Sequence, residues 1–198
     1  MKTFLHVGCG HQTKSGIKGF DNDFWNEIRF DIDKNVNPDI EGTLTDMSQV
    51  KTESVDAIYS SHNIEHIFIH EVPIALKEFH RVLKKDGMVV IECPDLQSTC
   101  ESVVNDKLLE PLYHTEAGAP ITPLDIIYGH VGQIAQGNKF MAHKCGFTYS
   151  TLLKEFIDAG FNKYIGGRRL AGFDLFLVAC KGEKSDEDLN KLASEFLP

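Results

Sequence analysis

Two groups of residues in this chain have the types and the spacing to do chemistry. The first is Gly8-Cys9-Gly10, which breaks the short apolar run Thr3-Phe4-Leu5-His6-Val7, with Asp31 standing 21 residues beyond Gly10. An apolar run of that length reads as a buried strand, and glycines directly after it let the backbone come close to a ligand. In nucleotide-binding α/β folds an acid about 20 residues past the glycines takes the ribose hydroxyls. Asp31 fills that place behind Ile28-Arg29-Phe30, and Asp33 is a second candidate. The second group is His62-Asn63-Ile64-Glu65-His66. On a helix its two imidazoles would stand at i and i+4 with a carboxylate beside them, the spacing of the inverted zinc peptidase motif.

The dinucleotide fingerprint needs a third glycine, for close helix packing and for a pyrophosphate at the helix N-terminus. Here that place falls on Thr13, which disfavours NAD and leaves an NAD-dependent oxidoreductase as a minor alternative. A strand, a Gly-x-Gly and a ribose-binding acid without a phosphate cradle suit a nucleoside ligand such as S-adenosyl-L-methionine (SAM). The peptidase reading is disfavoured because the histidines follow directly on a buried strand, roughly 50 residues past the glycines. Zinc peptidases embed the motif in a long helix and need a third ligand downstream.

The elements that must position these groups alternate strand with helix. Glu27 to Asp31 reads as the second strand, Pro38 to Glu41 as a short third one, and Val55 to Tyr59 as the fourth. From about His70 to Leu83, Val72, Ala75, Leu76, Phe79, Val82 and Leu83 recur at helical spacing, with Pro73 in the first turn. Lys85-Asp86-Gly87 then reads as a turn, and Met88 to Ile91 as a strand covered on both faces. Strand, helix and strand in that order make a right-handed crossover. Residues 95 to 110 look helical, and 106 to 146, rich in Gly, Pro, Tyr and His, form an insertion where substrate would be covered. Tyr149 to Ala159 is a helix ended by Gly160. Phe161 to Ile165 and Phe173 to Cys180 read as two strands separated by Gly166-Gly167. Residues 1 to 182 would be one domain, and 183 to 198 a charged helical tail.

Three stretches together resemble the class I SAM-dependent methyltransferases, and most closely the type-11-like domains. They are Leu5-His6-Val7-Gly8-Cys9-Gly10, Ser54 through His66, and Glu78-Phe79-His80-Arg81-Val82-Leu83-Lys84-Lys85-Asp86-Gly87. The resemblance implies a Rossmann-like, doubly wound α/β fold. Its seven-stranded sheet would be mostly parallel with an antiparallel last strand, in the order 3-2-1-4-5-7-6. It implies SAM as cofactor, held by Gly8, Cys9, Gly10, Asp31 and Ser60, with Asp46 and Met47 flanking the adenine. The methyl-transfer side would carry His62, His66 and His143 as candidate bases, in that order, with no metal assigned. A member that binds SAM without catalysis is the other alternative. The family usually carries a first helix after the glycines, but His11 to Phe20 holds two more glycines and little helical periodicity.

Composition narrows the partners. A formal charge of -9 works against attraction to a phosphate backbone or an anionic membrane, so a small-molecule or glycan-precursor acceptor is expected rather than nucleic acid or membrane. The basic pairs Lys84-Lys85 and Arg168-Arg169 read as solvated ends of elements. Five cysteines without a Cys-x-x-Cys pair indicate neither a disulfide framework nor a structural zinc site and fit a reducing cytoplasm. Neither an export signal nor an apolar run of spanning length is apparent. Cys9 and His6 read as packing residues, whereas His114, His130 and His143 in the insertion can face substrate.

Overall fold

A computed structural model describes residues 1–115 and 118–198. Seven strands form one sheet: β1 (Lys2–Val7), β2 (Trp25–Asp31), β3 (Ile40–Glu41), β4 (Val55–Ser61), β5 (Leu83–Pro94), β8 (Lys163–Arg169) and β9 (Asp174–Cys180). The remaining two, β6 (Tyr113–His114) and β7 (Pro120–Ile121), make a separate hairpin inside the insertion. The sheet order is β3-β2-β1-β4-β5-β9-β8. Every neighbouring pair is parallel except those made by β9, which runs antiparallel to both β5 and β8. This is the expected architecture, and the last two strands carry higher numbers only because the hairpin precedes them.

Alternate residues of the central strands bury on opposite faces, as the two-residue period of a strand requires. Leu5, Val7, Ile58, Val89 and Ile91 face a core closed by helix α1 (Val72–Val82) and helix α5 (Tyr149–Asp158). Phe4, Ala57, Tyr59, Met88 and Val90 face the other side. There the chain lacks the usual first helix. Residues 11 to 24 hold only a 3-10 turn at Lys14–Gly16, and Ile17 and Phe20 from this loop pack directly on β1. The rest of that face is closed from the far end of the chain by helix α6 (Asp186–Phe196), through Leu189, Phe196 and Leu197. The charged tail is therefore amphipathic and built into the core. Phe20 sits at the centre of an aromatic cluster, with ring centroids 4.2 Å from Phe4 and 4.9 Å from both Trp25 and Phe196.

Three local expectations are corrected. Lys85-Asp86-Gly87 is not a free turn: β5 begins at Leu83 and runs through it, with the register against β4 shifting between Val55 and Ala57. The helix expected over 95 to 110 is α2 (Leu96–Val104), N-capped by the Asp95 side chain. Gly166 and Gly167 lie inside β8 rather than between strands, because a Cβ at Gly166 would stand 2.3 Å from the Phe176 carbonyl oxygen on β9. The glycine there permits close approach rather than a turn. The insertion carries helix α3 (Pro123–Tyr128) and helix α4 (Val131–Ala135) after the hairpin. Among the described residues no helix is long and apolar enough to cross a membrane.

Removing the α6 anchor should open the second face. Phe196→Ala is expected to destabilise the protein by about 3 kcal/mol, the low end for truncating a buried aromatic. Emission from Trp25, the single tryptophan, should shift to the red as its ring is uncovered. Urea titration followed by that emission checks it, and an unchanged midpoint would mean that α6 contributes nothing to the core.

Candidate active site

The carboxyl ends of β1, β2 and β4 bring the two residue groups together. Gly8 and Gly10 have φ of +67° and +51°, a region that L side chains seldom adopt. The amides of Gly8 and Cys9 both donate to the Phe30 carbonyl, at 2.9 and 3.3 Å. Asp31 is buried and organises the loop: one carboxylate oxygen accepts from the Gly10 amide and the other from the Asp33 amide, each at 2.8 Å. The Arg29 guanidinium donates to the Gly10 carbonyl. Each Asp31 oxygen keeps acceptor capacity beyond those bonds. A Cβ at Gly8 would lie 2.3 Å from Asn63 Cγ, whereas one at Gly10 would meet nothing within 4 Å. The loop is thus packed on one side and open on the other, as a backbone that approaches a ligand must be.

Other residues assigned to the cofactor divide. Ser60 is fully buried beside the loop, in register with Val7, and its hydroxyl accepts from Asn63 Nδ2 at 3.5 Å. Cys9 is buried, which pushes its thiol up to about 11, so it packs and does not attack. Asp46 is exposed and binds the Ser48 amide. Met47 has its side chain in the core, and its amide donates to Glu78 Oε2 at 3.1 Å. Thr13 precedes a 3-10 turn, not an α-helix, so the helix N-terminus that seats a pyrophosphate is missing.

The histidine motif does not lie on a helical face. His62 has φ of +47°, and only Ile64–His66 forms a 3-10 turn, which removes the peptidase geometry. Glu65 is 1% exposed, and among the described residues neither carboxylate oxygen has a partner of hydrogen-bond geometry. The imidazoles beside it, His62 Nδ1 at 3.7 Å and His143 Nε2 at 4.0 Å, are beyond hydrogen-bonding range. Burial pushes the Glu65 carboxyl up to about 8 and the His66 imidazole down to about 4. Burial also lowers His143. The Nδ1–H of His66 donates to the Ala142 carbonyl at 3.2 Å, and that of His143 to the Ile126 carbonyl at 2.7 Å. Both rings therefore hold Nε2 as a free lone pair. His143 reaches this place because the Lys144 amide donates to the Glu65 carbonyl at 2.8 Å and the His143 amide to the Tyr128 carbonyl at 3.1 Å. The other two insertion histidines stay away: His114 is exposed and His130 N-caps α4.

Sequence reasoning missed several neighbours. Asn63 lies within the motif at 62–66, but nothing in the sequence says that it walls the glycine loop. Arg168 and Arg169 are not merely solvated, since each is paired to a buried acid. Arg168 Nε donates to buried Asp95 at 2.7 Å, and Arg169 forks onto buried Asp174. Asp174, across from Pro94, sits close enough to Glu92 to help burial raise that carboxyl. Glu92 lies near the carboxyl end of β5 and Asp174 at the start of β9, and Glu92 accepts from Ser61 Oγ at 3.2 Å. Beyond Glu65 a cavity of about 300 Å³ opens between Pro94, Leu96, Ile126, Tyr128 and His143.

Residues 5–91 match the family model described as a methyltransferase domain. Among solved structures, the PH0226 protein of Pyrococcus horikoshii OT3 superposes with a TM-score of 0.62 at 13% identity, over 90% of this chain and 81% of that one. A SAM-dependent methyltransferase of Thermotoga maritima gives 0.58 at 15% identity, over 91% and 83%. The CMeT domain structure of the citrinin polyketide synthase gives 0.56 at 12% identity, over 92% and 47%, so this chain spans about half of that one. At such identities the likeness is one of fold. A search of curated proteins gave no match.

The contact between Gly8 and Asn63 can be tested by a double-mutant cycle. Gly8→Ala alone should cost about 1–3 kcal/mol, from positive φ and overpacking together. In an Asn63→Gly background the same change should cost at least about 1 kcal/mol less, because only the φ penalty remains. Additive costs in chemical denaturation would show that the two loops are not coupled there.

Proposed function

We propose that this chain, whose residues 5–91 match a methyltransferase-domain family model, transfers the methyl group of SAM to a small-molecule or glycan-precursor acceptor. The observation that carries the reading is the Gly8-Cys9-Gly10 loop, held at the end of β1 by the Asp31 carboxylate and open to a ligand at Gly10. SAM brings a methyl already activated on a sulfonium, so the protein has only to bind, align and, where needed, deprotonate.

Each of those tasks has residues in place. Asp31, fixed by two backbone amides, has lone pairs left for the ribose hydroxyls, with Asp33 beside it as a second acceptor. Gly10 lets the backbone approach the methionine portion, and Ser60 and Asn63 form the wall between the cofactor and the acceptor side. The insertion covers the acceptor, keeping water out and holding it in line with the methyl, a geometry that supplies several kcal/mol in general. An oxygen or nitrogen acceptor also has a proton to lose, and a base for it typically contributes about 10²- to 10⁴-fold. His62, half-exposed at the end of β4, is the first candidate, with His66 and His143 behind it. The net charge of -9 favours an acceptor other than nucleic acid.

Calorimetric titration of the cofactor-stripped protein with SAM and with S-adenosylhomocysteine tests the reading. Micromolar binding is expected, weakened by about tenfold or more in Asp31→Ala, which removes the ribose acceptor and unpins the Gly10 amide. No heat with either ligand would overturn the proposal, and heat with a nicotinamide dinucleotide would replace it.

A further inference from the structure

We infer that Glu65, His66 and His143 form a binding site for one divalent first-row transition cation, with His62 positioned to join as a fourth ligand. The carboxylate and imidazole ligand atoms of the first three residues all lie within 4.8 Å of one another. The two imidazole rings stand 4.8 Å apart, centre to centre, at 67°. Two imidazoles and one carboxylate are a donor set of borderline character, suited to zinc, iron, cobalt or nickel rather than magnesium, which prefers oxygen donors.

Three independent features point to a ligand rather than to packing. Glu65 is 1% exposed, yet among the described residues no donor meets either oxygen with hydrogen-bond geometry. A buried polar group without a partner is costly and rare, and a cation among these three residues would satisfy it. Both imidazoles are set for ligation, with Nδ1–H held by the carbonyls of Ala142 and Ile126 and Nε2 left free. Metal-ligating histidines are ordinarily oriented in this way. Finally, the frame is backbone. The Lys144 amide donates to the Glu65 main-chain carbonyl, so the segment bearing His143 is tied to the turn bearing Glu65 and His66. Closing the set onto a cation at about 2.1 Å from each ligand requires shifts of about 1 Å, within the reach of side-chain rotation.

The inference rests on the methyltransferase reading only for what the cation would serve. Its open positions would face the cavity lined by Pro94, Leu96, Ile126 and Tyr128, on the acceptor side of the Asn63 wall. An acceptor presenting an oxygen or nitrogen to the cation would be oriented there, and His62 would act as the base or as the fourth ligand according to whether it turns inward.

The test is direct metal binding by the full chain after chelation and dialysis. Titration with Co²⁺ should give one equivalent bound, with visible ligand-field bands, displaced by one equivalent of Zn²⁺ and not by excess Mg²⁺. Glu65→Gln and His143→Gln should each weaken Co²⁺ by about 100-fold or more, beyond the loss typical of an outer-shell change. Both variants should keep S-adenosylhomocysteine binding. Because Glu65→Gln removes a buried carboxylate, the metal-free variant should melt at or above the wild-type temperature while losing the upward shift that Zn²⁺ gives the wild type. Absence of Co²⁺ bands, or wild-type affinity in His143→Gln, would overturn the site. S-adenosylhomocysteine titration of the metal-free protein reads the nucleoside site alone, so the two readings fail separately.

Discussion

The backbone of Gly8 passes so close to the Asn63 side chain that no Cβ fits between them. That contact follows from the sheet. β1 and β4 are neighbours, Val7 is paired with Ser60, and the chain must leave both strands at the same level. One exit becomes the glycine loop with Asp31, and the other becomes the turn carrying His62, Glu65 and His66. The two loops share one wall, so a cofactor seated on the first would lie next to whatever the second binds. A bulkier residue at Gly8 would move both.

Four buried acids at this end of the sheet are treated differently, and the differences separate structure from function. Asp31 is satisfied by backbone amides, Asp95 by Arg168 and Ser98, and Asp174 by the fork of Arg169. Each of these carboxylates holds a loop or a strand end in place, and removing its partner would leave an uncompensated buried charge. Glu65 has no such partner. That difference among the four acids sets the turn at 64–66 apart from the carboxylates that hold the fold together.

How much of this was legible in the sequence depends on whether the cause is local. The strand before Gly8, the acid at Asp31 and the apolar stripe of α1 are short-range patterns, and each stands where its spacing put it. Where tertiary contacts decide, local signals misled. Gly166-Gly167 looked like a break because glycines usually are one, but they are there for the close approach of β9. Lys85-Asp86-Gly87 has turn residues, yet pairing beside β4 draws it into β5. In the motif at 62–66, spacing suggested two histidines on one helix; the positive φ at His62 breaks that relation. The histidine that completes the cluster, His143, stands out in sequence as one of three in the insertion, but it is 78 positions further on than Glu65 and no local pattern shows that it meets Glu65 and His66.

The closure of the β1 face by α6 has a consequence for how the chain is made. The Lys18 ammonium binds the Leu197 carbonyl, 179 positions away, and Phe20 packs on Phe196. While the ribosome is still adding the central strands, Phe4, Phe20 and Trp25 have no cover and the first strand cannot be sealed. Contacts of such long range slow folding, because a large loop must close before they stabilise anything. An emerging chain would therefore expose an aromatic surface for most of its synthesis, a period in which a chaperone would find it and a protease would cut it most readily.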